Sequence, residues 1–127
     1  MRSDHEGTRG ERPDEGSRRS VGRLLKDQAA RCVEETRTND SKTLRYDWFL
    51  SRDSAEAETR EAYIDSEGVI EHCMRTVSEA TNELFRRFAY DQVVTVYGPA
   101  SPELVALANA RMGDAVRWYS FFQGLDS

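Results

Sequence analysis

TLRYDWFLSRDSAEAETREAYIDSEGVIEH, Thr43 to His72, changes its hydrophobic period twice, and those changes decide the fold. In TLRYDWFL, Leu44, Tyr46, Trp48 and Leu50 fall on one face and Thr43, Arg45, Asp47 and Phe49 on the other. That is the two-residue period of a strand, with aromatic enrichment. Ser51 to Ser54 is a polar turn signal. AEAETREAYI then reads as a second, weaker strand with Ala57, Thr59, Glu61 and Tyr63 on one side. Asp65 or Ser66 can cap a helix in which Val69, Ile70, Cys73 and Met74 recur at helical spacing, with His72 beside that stripe. The stretch is a hairpin running into a helix.

Working outward, Val21 to about Arg37 has the imperfect apolar stripe of a first helix, with Leu24, Leu25, Ala29, Cys32 and Val33. Asn39, Asp40 and Ser41 read as the polar connector into the strand at Thr43. The helix after the hairpin is expected over Ser66 to Phe88, with a bend near Arg75 to Ser78. Gly68 in its first turn is costly for a helix; either backbone approaches closely there or the cost is tolerated. Gln92 to Tyr97 reads as a strand apolar on both faces, hence interior or covered. Ser101 and Pro102 then mark a short helix start, Gly113 and Asp114 its end, and Ala115 to Phe122 an aromatic last strand.

The span 1–20 carries charges of both signs and no apolar residue after Met1, so it reads as a disordered tail ahead of a single domain over 21–127. The 127 residues carry a formal charge of −5 with mixed signs throughout, which weighs against a nucleic-acid partner. No apolar run is long enough to span a membrane and no leader segment is evident, so the expectation is cytoplasmic. Cys32 and Cys73 lie in separate helical patterns and read as small core side chains of a reducing compartment. One histidine in the folded span, with no ligand spacing, gives no metal site; no glycine-rich phosphate loop follows a strand, so no nucleotide or flavin cofactor is expected.

This element order predicts an α+β domain with helices on one face of a mostly antiparallel sheet. Its other face, also apolar and aromatic, predicts a second copy packed against it. Together, TLRYDWFLSRD, REAYIDSEGVIEH, VVTVYGPASPEL and VRWYSFFQGL resemble the antibiotic biosynthesis monooxygenase family, in particular its polyketide and quinol monooxygenase-like members. The resemblance implies a ferredoxin-like domain that dimerises into an α+β barrel. It also implies oxidation of an aromatic polyketide or quinol by dioxygen, often without metal or flavin. One departure stands out. Family members open with a strand ahead of the first helix, whereas GERPDEGSRRS has no strand pattern; the customary first strand is therefore expected to be missing, with the aromatic C-terminal strand the candidate to replace it.

A cofactor-free oxygenase needs a base, an apolar slot for a planar ring and donors for developing oxygen charge. His72, Tyr46 and Glu61 are the expected catalytic residues; Trp48, Tyr63, Asn82 and Phe85 are the expected substrate-binding residues. A buried Glu61 requires a partner, with Arg45 or Arg60 as candidates. The partners expected are a small aromatic molecule, dioxygen and a second copy of the chain. The same slot and base would also serve a polyketide cyclase or isomerase, and a non-catalytic dimeric binding protein would use the slot alone.

Overall fold

A computed structural model of the chain describes residues 2–6, 15–76 and 91–126. The described elements are strand β1 (Arg2–Glu6), helix α1 (Glu15–Asn39), strands β2 (Thr43–Leu50) and β3 (Ala57–Tyr63), helix α2 (Ser66–Thr76), strand β4 (Val93–Tyr97), helix α3 (Pro102–Met112), a 3₁₀ turn (Gly113–Ala115) and strand β5 (Val116–Tyr119). They form one five-stranded sheet in the order β2-β3-β1-β4-β5, antiparallel except for the parallel β4–β5 pair.

The expected absence of the opening strand is corrected here. Arg2–Glu6 is that strand, and it occupies the centre of the sheet, with Ser3 in register with both Glu61 and Val96. A strand paired on both sides is held by backbone hydrogen bonds, so it can form from residues with no apolar alternation. The span 1–20 is accordingly not a uniform tail: it supplies β1 and the first turns of α1, which begins at Glu15 rather than Val21. The C-terminal strand replaces nothing. It is limited to Val116–Tyr119, sits at the edge beside β4, and leaves Phe121 and Phe122 outside the sheet and exposed.

The hairpin forms where its alternation places it. Ser51 N–H bonds Glu56 O at 2.9 Å, and Asp53 Oδ1 accepts from Ser51 Oγ at 2.8 Å and Ala55 N at 3.0 Å, closing the polar turn. One irregularity modifies the face assignment. The β2–β3 register shifts between Thr43 and Arg45, and Leu44, expected on the Tyr46 face, is 68% exposed in that bulge. Farther along, Tyr46 pairs with Glu61 and Trp48 with Thr59, on the face covered by α1 and α2.

Two caps follow the sequence. Asp65 Oδ1 accepts from Gly68 N at 3.0 Å at the start of α2, and Ser101 Oγ accepts from Leu104 N at 3.1 Å ahead of Pro102 in α3. The α2 and α3 starts are tied together, since Ser66 Oγ accepts from Ser101 N at 2.9 Å. Between them lies the core of Tyr63, Val69 and Leu104, flanked by Ile70, Cys73 and Ala100. Gly68 is explained by close approach: a Cβ there would stand 2.8 Å from Lys42 Cβ and 3.3 Å from Tyr63 Cβ. No described helix is long and apolar enough to cross a membrane.

Candidate functional site

Four elements converge on His72. It projects from α2 towards the sheet and is 3% exposed. Its Nδ1 lies 2.7 Å from Asp40 Oδ2, just beyond the end of α1, and its Nε2 lies 3.2 Å from Glu61 Oε1 on β3. Tyr46 of β2 meets the imidazole edge-to-face with ring centroids 4.5 Å apart, and Tyr63 lies 5.6 Å away.

Each carboxylate is held by further donors. Asp40 Oδ2 accepts from Thr43 Oγ1 at 2.8 Å, while Asp40 Oδ1 pairs with the Arg75 guanidinium. Arg75 also donates to the Glu35 carbonyl at 3.3 Å, which anchors it to α1. Glu61 Oε1 accepts from the Tyr63 hydroxyl at 2.8 Å and Oε2 from Thr59 Oγ1 at 3.2 Å. Charges this deeply placed persist only when paired and hydrogen-bonded, and here they are.

The two phenols are donors in this setting. Burial, then the Glu61 charge, raises the Tyr46 hydroxyl well above the usual phenol range. Burial, the Glu61 charge and the hydrogen bond to Glu61 raise Tyr63 further. Both therefore remain protonated hydrogen-bond donors at any ordinary pH. Burial likewise pushes the Cys73 thiol to about 11, with the Glu61 charge adding to it.

Tyr46 links this cluster to open space. A groove of about 590 Å³ runs between α1 and the edge strand β2, lined by Ala29, Ala30, Val33, Glu34 and Arg37 on one side and Tyr46, Asp47, Trp48 and Phe49 on the other. Tyr46 and Trp48 meet edge-to-face at 5.8 Å. Of the expected site residues, His72, Tyr46, Glu61, Tyr63 and Trp48 are thus brought together; Asn82 and Phe85 lie outside the described residues. Glu61 is paired, but not with an arginine: Arg45 pairs with Asp47 and Arg60 with Glu58 along their own strands. Alternation explains this, because Arg60 faces away from Glu61 and Arg45 adjoins the bulge.

Asp40 and Arg75 were not among the expected site residues. Asp40 stands in a polar connector 32 positions from His72, and no local pattern joins them. Among the described residues, no group of three or more His, Cys, Asp or Glu side chains is placed to hold a metal ion.

No family model and no curated protein sequence matches the chain. Solved structures do. MupZ from Pseudomonas fluorescens superposes with a TM-score of 0.70 at 18% identity, over 98% of this chain and 91% of that one. A Deinococcus radiodurans protein assigned to the antibiotic biosynthesis monooxygenases gives 0.58 at 13% identity, over 80% and 94%. The fold is that of the antibiotic biosynthesis monooxygenase-like structures. PA3566 from Pseudomonas aeruginosa shares it, with a TM-score of 0.52 at 15% identity over 73% and 86%. In this fold β5 continues the sheet beyond β4, and the His72 cluster lies between α2 and the strands β2 and β3.

Proposed function

We propose that this chain is an enzyme that oxidises a small aromatic molecule of the polyketide or quinol type with dioxygen, without a cofactor, as a homodimer. The observation that carries it is His72 set between two carboxylates and against Tyr46, which lines a groove with aromatic and aliphatic walls and a charged rim. Such a cluster can take a proton from a phenolic or benzylic substrate, leaving an anion electron-rich enough to reduce dioxygen. For an anthrone-type methylene, one oxygen atom enters the product as a carbonyl and the other leaves as water with the two substrate hydrogens. The likeness to monooxygenase structures supports the fold, and the reaction rests on the cluster.

The homodimer is supported by the open face of the sheet. Phe49, Tyr97 and Tyr119 are 50%, 41% and 52% exposed there, and the two tyrosine rings stack at 5.5 Å. A second copy covering that face would remove them from water. We place the protein in the cytoplasm, where the thiols of Cys32 and Cys73 would stay reduced.

The relay itself favours a second reading, cyclase or isomerase, because acid–base groups are all that such a reaction requires. Oxygen-electrode assays with anthrone and hydroquinone test the first. Uptake of one dioxygen per anthrone, lost in His72→Gln and Glu61→Gln, is expected. Product formation at the same rate without oxygen would establish the second reading, and absence of turnover with tight anthrone binding would leave a binding protein.

A further inference from the structure

We infer that Asp40, His72 and Glu61 form a directional proton relay in which Asp40 is a positioning residue, His72 carries the proton and Glu61 is the end that meets a bound molecule. The role assigned to Glu61 rests on the acid–base reading above; the direction of the relay rests on geometry.

Both imidazole nitrogens already face carboxylate oxygens, at 2.7 Å for Nδ1 and 3.2 Å for Nε2. The ring edges towards Tyr46 and Tyr63 are covered as well. His72 therefore has no nitrogen turned towards a ligand. Side-chain exposure rises along the chain of contacts, from 1% at Asp40 to 4% at His72 and 11% at Glu61. Glu61 is thus the least buried of the three, on the strand next to the one that carries Tyr46 into the groove.

Asp40 sets the direction. Arg75 can only donate, and it faces Asp40 Oδ1; Thr43 Oγ1 donates to Oδ2, the oxygen that also faces Nδ1. A carboxylate fixed in this way accepts from Nδ1–H, which leaves Nε2 as the nitrogen whose proton changes hands. The two contacts differ accordingly, the Nε2 one being longer by half an ångström. In the relay, a substrate O–H or C–H bond breaks as an O–H bond forms on Glu61. That proton then passes to Nε2 while Nδ1–H stays on Asp40, and the reverse sequence returns it. No electron leaves or enters the relay.

The full chain labelled with ¹⁵N-histidine tests this, the His72 signals being those absent from His72→Gln. Ring nitrogen spectra are expected to show Nδ1 protonated in the wild type. In Asp40→Asn the amide oxygen must face Arg75, so the amide N–H₂ faces the imidazole and the tautomer should switch to Nε2–H. Glu61→Gln should move the Nε2 shift and leave Nδ1–H in place. A wild type with Nδ1 unprotonated, or an Asp40→Asn variant that keeps its Nδ1 proton, overturns the positioning role. The wild-type spectrum decides alone if Asp40→Asn does not fold. Carbodiimide coupling to glycine methyl ester with mass mapping tests the other end: Glu61 should couple and Asp40 should not. Coupling at Asp40, or none at Glu61 while Asp47 and Glu67 react, refutes the assignment. Neither measurement depends on turnover, so each can fail separately from the oxygenase reading.

Discussion

Replacing Gly68 with alanine should destabilise the protein although it improves the helix. Intrinsic propensity favours alanine in a helix by about 1 kcal/mol. Against this, the new Cβ would stand 2.8 Å from Lys42 Cβ, 3.2 Å from Lys42 O and 3.3 Å from Tyr63 Cβ. None of these neighbours is the free end of a side chain. Lys42 O already accepts from Ile64 N at 3.0 Å, and Tyr63 belongs to the core. Overpacking against such fixed atoms costs about 1–3 kcal/mol, and the rigidity here argues for the upper end. The net loss is then about 2 kcal/mol, which lowers Tm by roughly 8 °C in a domain of this size. Gly22→Ala is the control. Its Cβ would meet nothing closer than Ser54 Oγ at 3.5 Å, so the propensity gain should survive and Tm should rise by a few degrees. Paired thermal and urea melts measure both. An unchanged or raised Tm for Gly68→Ala, or shifts of the same sign for the two variants, would refute the close-approach explanation.

Four further outcomes are expected. Arg75→Met leaves Asp40 buried with one fewer donor and should cost about 3–5 kcal/mol in urea unfolding, with an unchanged m-value. Tyr63→Phe removes the hydroxyl that donates to Glu61 and should cost about 1.5–3 kcal/mol in the same assay, while the core packing stays. Lys42 is held above its ordinary range by hydrogen bonds to Glu67 and Asp65, and Asp65 is held below its own by Lys42 and Gly68. The Asp65 contribution is therefore present above the usual carboxylate pKa and lost as pH falls through the lowered one; the Lys42 contribution is present below 10.5 and lost as pH rises through the raised one. The stability gap between wild type and Lys42→Met should close at both extremes, and a gap independent of pH would contradict the pairing. Cys73, with its thiol near 11 against an ordinary 9.0, should react with a disulfide reagent at pH 8 roughly 100-fold more slowly than in urea, followed by absorbance.

The sequence was informative wherever burial imposes a period. Alternation located β2 and β3, helical spacing located α2, and Ser101-Pro102 located the start of α3, because each reflects a face turned to the core or a local cap. β1 left no such trace. RSDHE is held by partners on both sides through its backbone, and backbone pairing writes nothing into side-chain pattern. The site divides in the same way. Tyr46, Glu61 and Tyr63 were visible because strand alternation gathers them on one face, and His72 because it borders the α2 stripe. In the sequence Asp40 is only part of a polar connector, since the docking of α2 against the end of α1 is what brings it to the imidazole. The bulge at Leu44 was equally hidden: register is a property of two strands together.

The central position of β1 also bears on how the sheet is assembled. β1 is separated from β3 by α1 and β2, and from β4 by the whole hairpin and α2 as well, yet it pairs with Glu58–Ala62 on one side and Val93–Tyr97 on the other. The hairpin can close by itself, but its inner edge then waits for a strand from far away in the chain, and that strand in turn waits for β4. Contacts of such sequence separation slow folding. A polypeptide halted after α2 would present β1 with one ladder unmatched, an adhesive edge in the middle of what becomes the interior. The polar residues that hide β1 from pattern reading suit that interval, because a hydrophilic strand is less prone to pair with the wrong neighbour while it waits.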